Sequence, residues 1–194
     1  GMIDKNIDFF LADAREVKDL DGVDVLISEN LYTGMFFEKQ VQITRSMSSF
    51  LKTNGVYIPS GIASSFSLAS TAHSTVGGIE MEVLSELDQT PVLLSKTHVY
   101  DKVEFGPNSK NVIEYFGTVG ITLSGEINSI VICSDILLTD NRIINRYDTT
   151  FMNNDILLLL PDTTKVESGD VVEVSISYQY GSNPKDAVIV VKKV

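Results

Sequence analysis

The chain has 194 residues, 43% hydrophobic and 21% charged, with a formal net charge of −11; this suits a folded globular protein and excludes a fibrous or disordered one. No apolar run approaches the roughly 20 residues of a membrane-spanning helix, and no basic stretch followed by an apolar core marks a secretion signal. The acidic balance opposes phosphate backbones and anionic lipid, so neither nucleic acid nor a membrane is an expected partner. A single cysteine, Cys133, rules out an internal disulfide framework and fits a reducing, cytoplasmic compartment. It lies in the apolar run SIVICSDILL and reads as a packed core thiol. The two histidines, His73 and His98, stand in no recognisable catalytic context, and with one cysteine they offer no metal-ligand cluster. Gly1 before Met2 reads as a cloning remnant.

In chain order, the runs IDFFLA (7–12) and VDVLIS (23–28) suit strands buried on both faces of a parallel sheet. The polar stretch between them leaves room for a loop or a helical turn or two. Further on, KQVQITRSMSSFLKTNG (39–55) places Ile43, Met47, Phe50 and Leu51 on one helical face. Asn54-Gly55 then supplies a stop and VYIPS (56–60) the next strand. Strand, connection, strand, loop, helix, strand is the second half of a doubly wound unit, and such a sheet expects further strands upstream of residue 1. From about Ile62 the helical period disappears, and short apolar runs recur between Gly, Asn, Asp and Pro turns. Gly77-Gly78 reads as a hairpin turn rather than a phosphate cradle. The clearest run is 171–180, where Val172, Val174, Ile176, Tyr178 and Tyr180 alternate with Glu173, Ser175, Ser177 and Gln179. The expected fold is an α+β composite: a partial Rossmann-like α/β segment over residues 1–60, then an antiparallel β-barrel-like domain over 61–194.

The segment DVLISENLYTGMFFEKQ (24–40) carries the chemistry. An apolar strand delivers the chain to Ser28-Glu29, and a second carboxylate, Glu38, follows the aromatic pair Phe36-Phe37. This spacing resembles the protein arginine methyltransferase family, in which a strand leads into a loop with two glutamates, one after a serine and one after an aromatic pair. FLKTNGVYIPS resembles the family's helix, glycine turn and proline-ended strand, and FLADAREVKDLDGVDVLISE is similar to the general S-adenosylmethionine-dependent pattern. The specific motifs fall between residues 9 and 59.

The resemblance implies that Glu29 and Glu38 act as the catalytic pair, holding a nitrogen acceptor. A guanidinium is a planar, always protonated fork that carboxylates hold bidentately, and in-line methyl transfer gains much of its rate from positioning. It further implies adenine contacts at Asp13 and Ala14, and a substrate-positioning role for Tyr32. Each position also has a plainer reading: Glu29 as a turn cap, Glu38 as an acid in a first helical turn, Asp13 as an N-cap, and Tyr32 at a core edge. The family's glycine-rich cofactor loop would precede residue 1, so S-adenosylmethionine is expected only with the N-terminal half present and the isolated chain is expected to be inactive. The family's Thr-His-Trp loop corresponds to RYDTTFMNND, which has neither histidine nor tryptophan. Two functions remain open, the C-terminal part of a methyltransferase and a non-catalytic binding or scaffolding module that keeps the barrel. A bare parallel-sheet face calls for a partner chain or a homo-oligomer covering Phe9, Leu11, Val25 or Ile27.

Overall fold

The computed structural model describes residues 7–18, 20, 22–139, 142–145, 148 and 154–194. Strands dominate: β1 (Val23–Ile27), β2 (Leu51–Ile58), β3 (Gly61–Ser70), β4 (Glu80–Val83), β5 (Val92–Leu93), β6 (His98–Glu104), β7 (Val112–Gly120), β8 (Gly125–Thr139), β9 (Arg142–Ile144), β10 (Ile156–Val166), β11 (Val171–Gln179) and β12 (Val188–Lys193). One α-helix, α1 (Gln40–Met47), lies between β1 and β2.

From Gly61 onward the strands form two antiparallel sheets. The larger runs β4-β10-β8-β3-β5, with β6 on β3 and β9 on β8, and the smaller runs β12-β11-β7. Rows of apolar residues cross the larger sheet in register: Phe66, Ile132 and Ile156 form one, and Leu68, Ile130 and Leu158 the next. Both rows are buried, and they share one core with Val172, Val174, Ile176 and Tyr178 of β11. That β11 row, with Tyr180 just beyond it, is the one legible from period-2 alternation in the sequence. Pro161 has no N–H to give to a ladder, and β10 breaks register between Leu159 and Thr164 around it. Among the described residues no continuous ladder joins the two sheets; Thr164 Oγ1 donates to Val191 O at 3.4 Å across one gap, and a lone bridge joins Ser95 and Ile121 across the other. The β domain is thus antiparallel as expected, two sheets sandwiching one core, with no closed barrel among the described residues.

The N-terminal part differs more from expectation. β1 and β2 are parallel, and among the described residues they form a sheet of two strands. The run 7–12 forms no strand; Phe9 is 87% and Leu11 106% exposed, and no strand among the described residues pairs with it. The helix is shorter than its apolar pattern suggested and buries a different face: Gln40, Val41 and Thr44 face inward. The Ser48 hydroxyl takes the Thr44 carbonyl at 2.6 Å, competing with helix continuation. A 3-10 turn follows, and β2 begins at Leu51. Asn54-Gly55 does not stop the helix. It lies in an irregularity of β2, where Val23 pairs Leu51 but Val25 pairs Val56. A Cβ at Gly55 would come within 2.7 Å of the Leu51 side chain, so this excursion requires glycine.

α1 covers one face of the small sheet, where the Tyr57 hydroxyl donates to Thr44 O at 2.8 Å. On the other face Val25, Ile27 and Val56 are exposed. Cys133 is half-buried rather than in the core, since alternation along β8 turns Ile132 and Ser134 inward instead. Gly77 has φ +84° and sits in a turn, but β3 and β4 are separated by β8 and β10, so the turn opens a crossover and not a hairpin.

Candidate active site

β1 hands its ladder on by one more bond, Ser28 N–H to Ile58 O at 3.1 Å. There the chain turns away, and Glu29 is exposed. The residues on either side of it are held by one buried amide. Gln40 Oε1 accepts from Ser28 Oγ at 2.9 Å and from Asn30 N–H at 3.0 Å, and Gln40 Nε2 donates to Ser28 O at 3.1 Å. Gln40 is itself only two residues past Glu38, which is also exposed. A single side chain thus ties the backbone at Glu29 to the backbone at Glu38, and both carboxylates emerge at the two feet of one loop.

Between those feet the loop dives into the sandwich. Thr33, Gly34, Met35 and Phe36 are buried, and Phe36 stacks on Tyr178 with ring centroids 4.3 Å apart. The path needs three left-handed residues: Gly34 at φ +67°, Met35 at +57° and Phe37 at +59°. Such a conformation is costly for side chains other than glycine and persists only when the surroundings over-determine it. Here they do. Gly181 N–H donates to Met35 O at 2.7 Å and Phe37 N–H to Ser182 O at 2.9 Å. Lys39 Nζ donates to Gly181 O and Gln42 Nε2 to Tyr180 O, each at 2.8 Å. Gly34 N–H donates to Ser134 Oγ at 2.9 Å, and the Tyr178 hydroxyl donates to Gly34 O at 2.7 Å.

Tyr32 stands half-buried at the loop's entry, edge-on to Phe37 with centroids 5.1 Å apart. Its hydroxyl reaches Met81 Sδ at 3.7 Å. Burial, with a smaller contribution from the nearby Glu86 charge, raises its pKa, so it is a neutral phenol. The ring thus packs on Phe37, the residue immediately before Glu38.

Asp13 and Ala14 stand on a separate element from the glutamates. Asp13 caps a 3-10 turn that opens at Ala14, and Ser46 Oγ donates to Arg15 O at 3.2 Å. Ser46 lies six residues along α1 from Gln40, roughly 9 Å at the helical rise. Both Asp13 oxygens are taken by Arg15, at 2.5–3.2 Å, and hydrogen bonding from that guanidinium holds the carboxyl down to about 2. Among the described residues no group of three His, Cys, Asp or Glu is arranged for a metal. His73 Nδ1 instead lies 2.9 Å from Glu82 Oε1. Of RYDTTFMNND, residues 146, 147 and 149–153 lie outside the described residues.

Sequence reasoning missed Gln40 and Tyr178 as parts of this site. A glutamine in a first helical turn reads as solvated, and an inward tyrosine on a strand reads as core; neither carries a signal of its loop contacts.

No family model matches the chain. It is 29% identical over 164 residues, 84% of its length, to a protein of Methanothermobacter thermautotrophicus described as uncharacterized, and it spans 60% of that relative. Among solved structures it resembles Trypanosoma brucei PRMT1, in an enzyme–prozyme heterotetrameric complex with AdoHcy. The TM-score is 0.68 over 93% of this chain and 66% of that one, at 9% identity. The chain therefore shares the fold of that structure over most of its own length, and among the described residues no helix is long and apolar enough to cross a membrane.

Proposed function

We propose that the chain is the C-terminal part of an S-adenosylmethionine-dependent methyltransferase, acting on a nitrogen acceptor of the guanidinium class held by Glu29 and Glu38. The observation that supports this most is the clamped loop, which spends left-handed backbone and many hydrogen bonds on fixing the feet from which two carboxylates project. A stable fold needs no such device. The reading divides the chain into residues 1–60, the end of a Rossmann-like domain, and 61–194, the β domain.

On this reading the glutamates accept hydrogen bonds from the guanidinium and orient the nitrogen to be methylated, and Tyr32 packs beside it to exclude water. The methyl group would come from the sulfonium of the cofactor. The residues present do not cradle that cofactor unaided, because Asp13 is bonded to Arg15 at both oxygens. An adenine role for Asp13 and Ala14 would require Arg15 to release it. The cofactor would be held by further polypeptide on the bare face of the β1–β2 sheet, so that a partner chain or a longer chain completes the enzyme in a cytoplasmic setting. The same Asp13–Arg15 pairing favours a second reading, a binding module with the sandwich but no cofactor site.

The test supplies the chain with a cofactor-binding α/β polypeptide and follows methyl transfer to an arginine-bearing peptide. The isolated chain is expected to be inactive and to bind S-adenosylmethionine no more tightly than about millimolar, each lost bond to a charged group removing roughly 1.5–3 kcal/mol. In the completed assembly Glu29→Gln and Glu38→Gln should each reduce turnover by about 100-fold without altering the circular dichroism of the sandwich. Full turnover in both variants would return the glutamates to surface roles, and no turnover in any assembly would favour the binding module.

A further inference from the structure

Gly34 is gripped at both of its backbone polar groups by side chains of the sandwich, and each of those side chains is paired with a second buried hydroxyl. Ser134 Oγ, which accepts from Gly34 N–H, lies 2.9 Å from Ser64 Oγ. The Tyr100 and Tyr178 hydroxyl oxygens are 2.6 Å apart, and Tyr178 donates to Gly34 O. Because Tyr178 gives its proton to the glycine carbonyl, Tyr100 is the donor between the two tyrosines. Two buried hydroxyl pairs, Ser134–Ser64 and Tyr178–Tyr100, thus hold Gly34, one at its N–H and one at its carbonyl.

All four side chains are at most 6% exposed, and in such surroundings each bond strengthens its neighbours. Burial pushes both tyrosine hydroxyls up from their ordinary value, so they stay protonated and remain donors. A Cβ on Gly34 would meet Phe36 Cε2 at 2.9 Å and Tyr100 Oη at 3.3 Å, which leaves the glycine no alternative seat. Apolar side chains could fill the same volume without the cost of burying four hydroxyls. The two hydroxyl pairs therefore do more than fill the core.

We propose that Tyr178 and Ser134 are positioning residues of the candidate site: through their bonds to its N–H and carbonyl they fix Gly34 and so set where Glu38 stands relative to Glu29. This rests on the methyl-transfer reading. The informative variant is Tyr178→Phe, which keeps the stacking on Phe36 and removes only the hydroxyl that holds Gly34. Its control is Tyr180→Phe, on the same inward row, whose hydroxyl instead donates to Asp101 Oδ2 at 2.5 Å.

In the completed assembly Y178F should lower kcat by about 10- to 100-fold with KM for the peptide unchanged, and Y180F, compared at equal distance below its own Tm, should leave kcat near that of the parent. Ser134→Ala should follow Y178F. Equal losses in Y178F and Y180F, or an unaffected Y178F, would overturn the proposal. Amide exchange on the chain alone separates its failure from that of the parent reading. Y178F should deprotect Phe37 N–H, which is bonded to Ser182, while the β3 and β8 amides stay protected. If no assembly turns over, the catalytic reading falls, and an unchanged Phe37 in Y178F would overturn the positioning as well.

Discussion

Ser28 and Gln40 hold each other by two reciprocal hydrogen bonds, side chain to side chain at 2.9 Å and amide to carbonyl at 3.1 Å. Gln40 is fully buried, so its amide has no water to fall back on. Replacing it with leucine keeps the volume and leaves the Ser28 carbonyl and the Asn30 N–H without their partner. Gln40→Leu should lower the unfolding free energy by about 2–3 kcal/mol, read from the urea midpoint at constant slope. A shift under a few tenths would mean that water replaces the amide.

Gly34→Ala tests the left-handed loop. It combines a positive φ of +67° with a Cβ 2.9 Å from the Phe36 ring. A cost of about 2–4 kcal/mol is expected, strain and overpacking together. The indole-free spectrum of this Trp-less chain makes near-ultraviolet dichroism a direct report on the tyrosine and phenylalanine packing here, and it should change too.

The Asp13–Arg15 pair predicts a local acid transition. The folded carboxyl titrates near 2 instead of its ordinary 3.8. Its contribution to stability is therefore complete above about pH 4 and is lost as pH falls from 4 through 2. Carboxyl NMR should place the Asp13 midpoint near 2, and Arg15→Gln should return it toward the ordinary value. An unshifted midpoint in the parent protein would mean that Arg15 does not hold Asp13 in solution, leaving its oxygens open to a ligand.

The bare face of the small sheet predicts association. Val25, Ile27 and Val56 share it, with Ile27 73% exposed, and parallel strands are normally covered on both sides. Light scattering should show self-association, or binding to an α/β partner, that Ile27→Glu abolishes without changing the urea midpoint. A monomer that binds nothing, unaffected by I27E, would count against a covered face.

How much of this could be read from residues alone differs between the two halves. In β11, Val172, Val174, Ile176, Tyr178 and Tyr180 are buried as their alternation requires, because a half-buried strand writes its face into every second position. Phe9 and Leu11 carried the same apolar signal, but burial needs a neighbouring strand, and a run of residues does not encode whether one is present. For α1, counting apolar residues selected Ile43 and Met47. The structure instead buries Gln40 and Thr44, whose hydrogen-bonding groups have partners that pattern analysis does not supply. The two glutamates were legible as a spacing; the Gln40 amide and the Tyr178 hydroxyl join residues 10 to 144 positions apart, and no local rule reaches that far.

That last separation bears on the order of folding. Gly34 precedes Tyr178 by 144 residues, so during synthesis the loop leaves the ribosome long before the strand that seats it exists. β1, α1 and β2 are neighbours in sequence and can pair early, whereas contacts of high sequence separation form late and slowly. The nascent protein thus carries its two carboxylates on an unset loop until β11 docks. The set of this loop is therefore expected in one of the last folding steps.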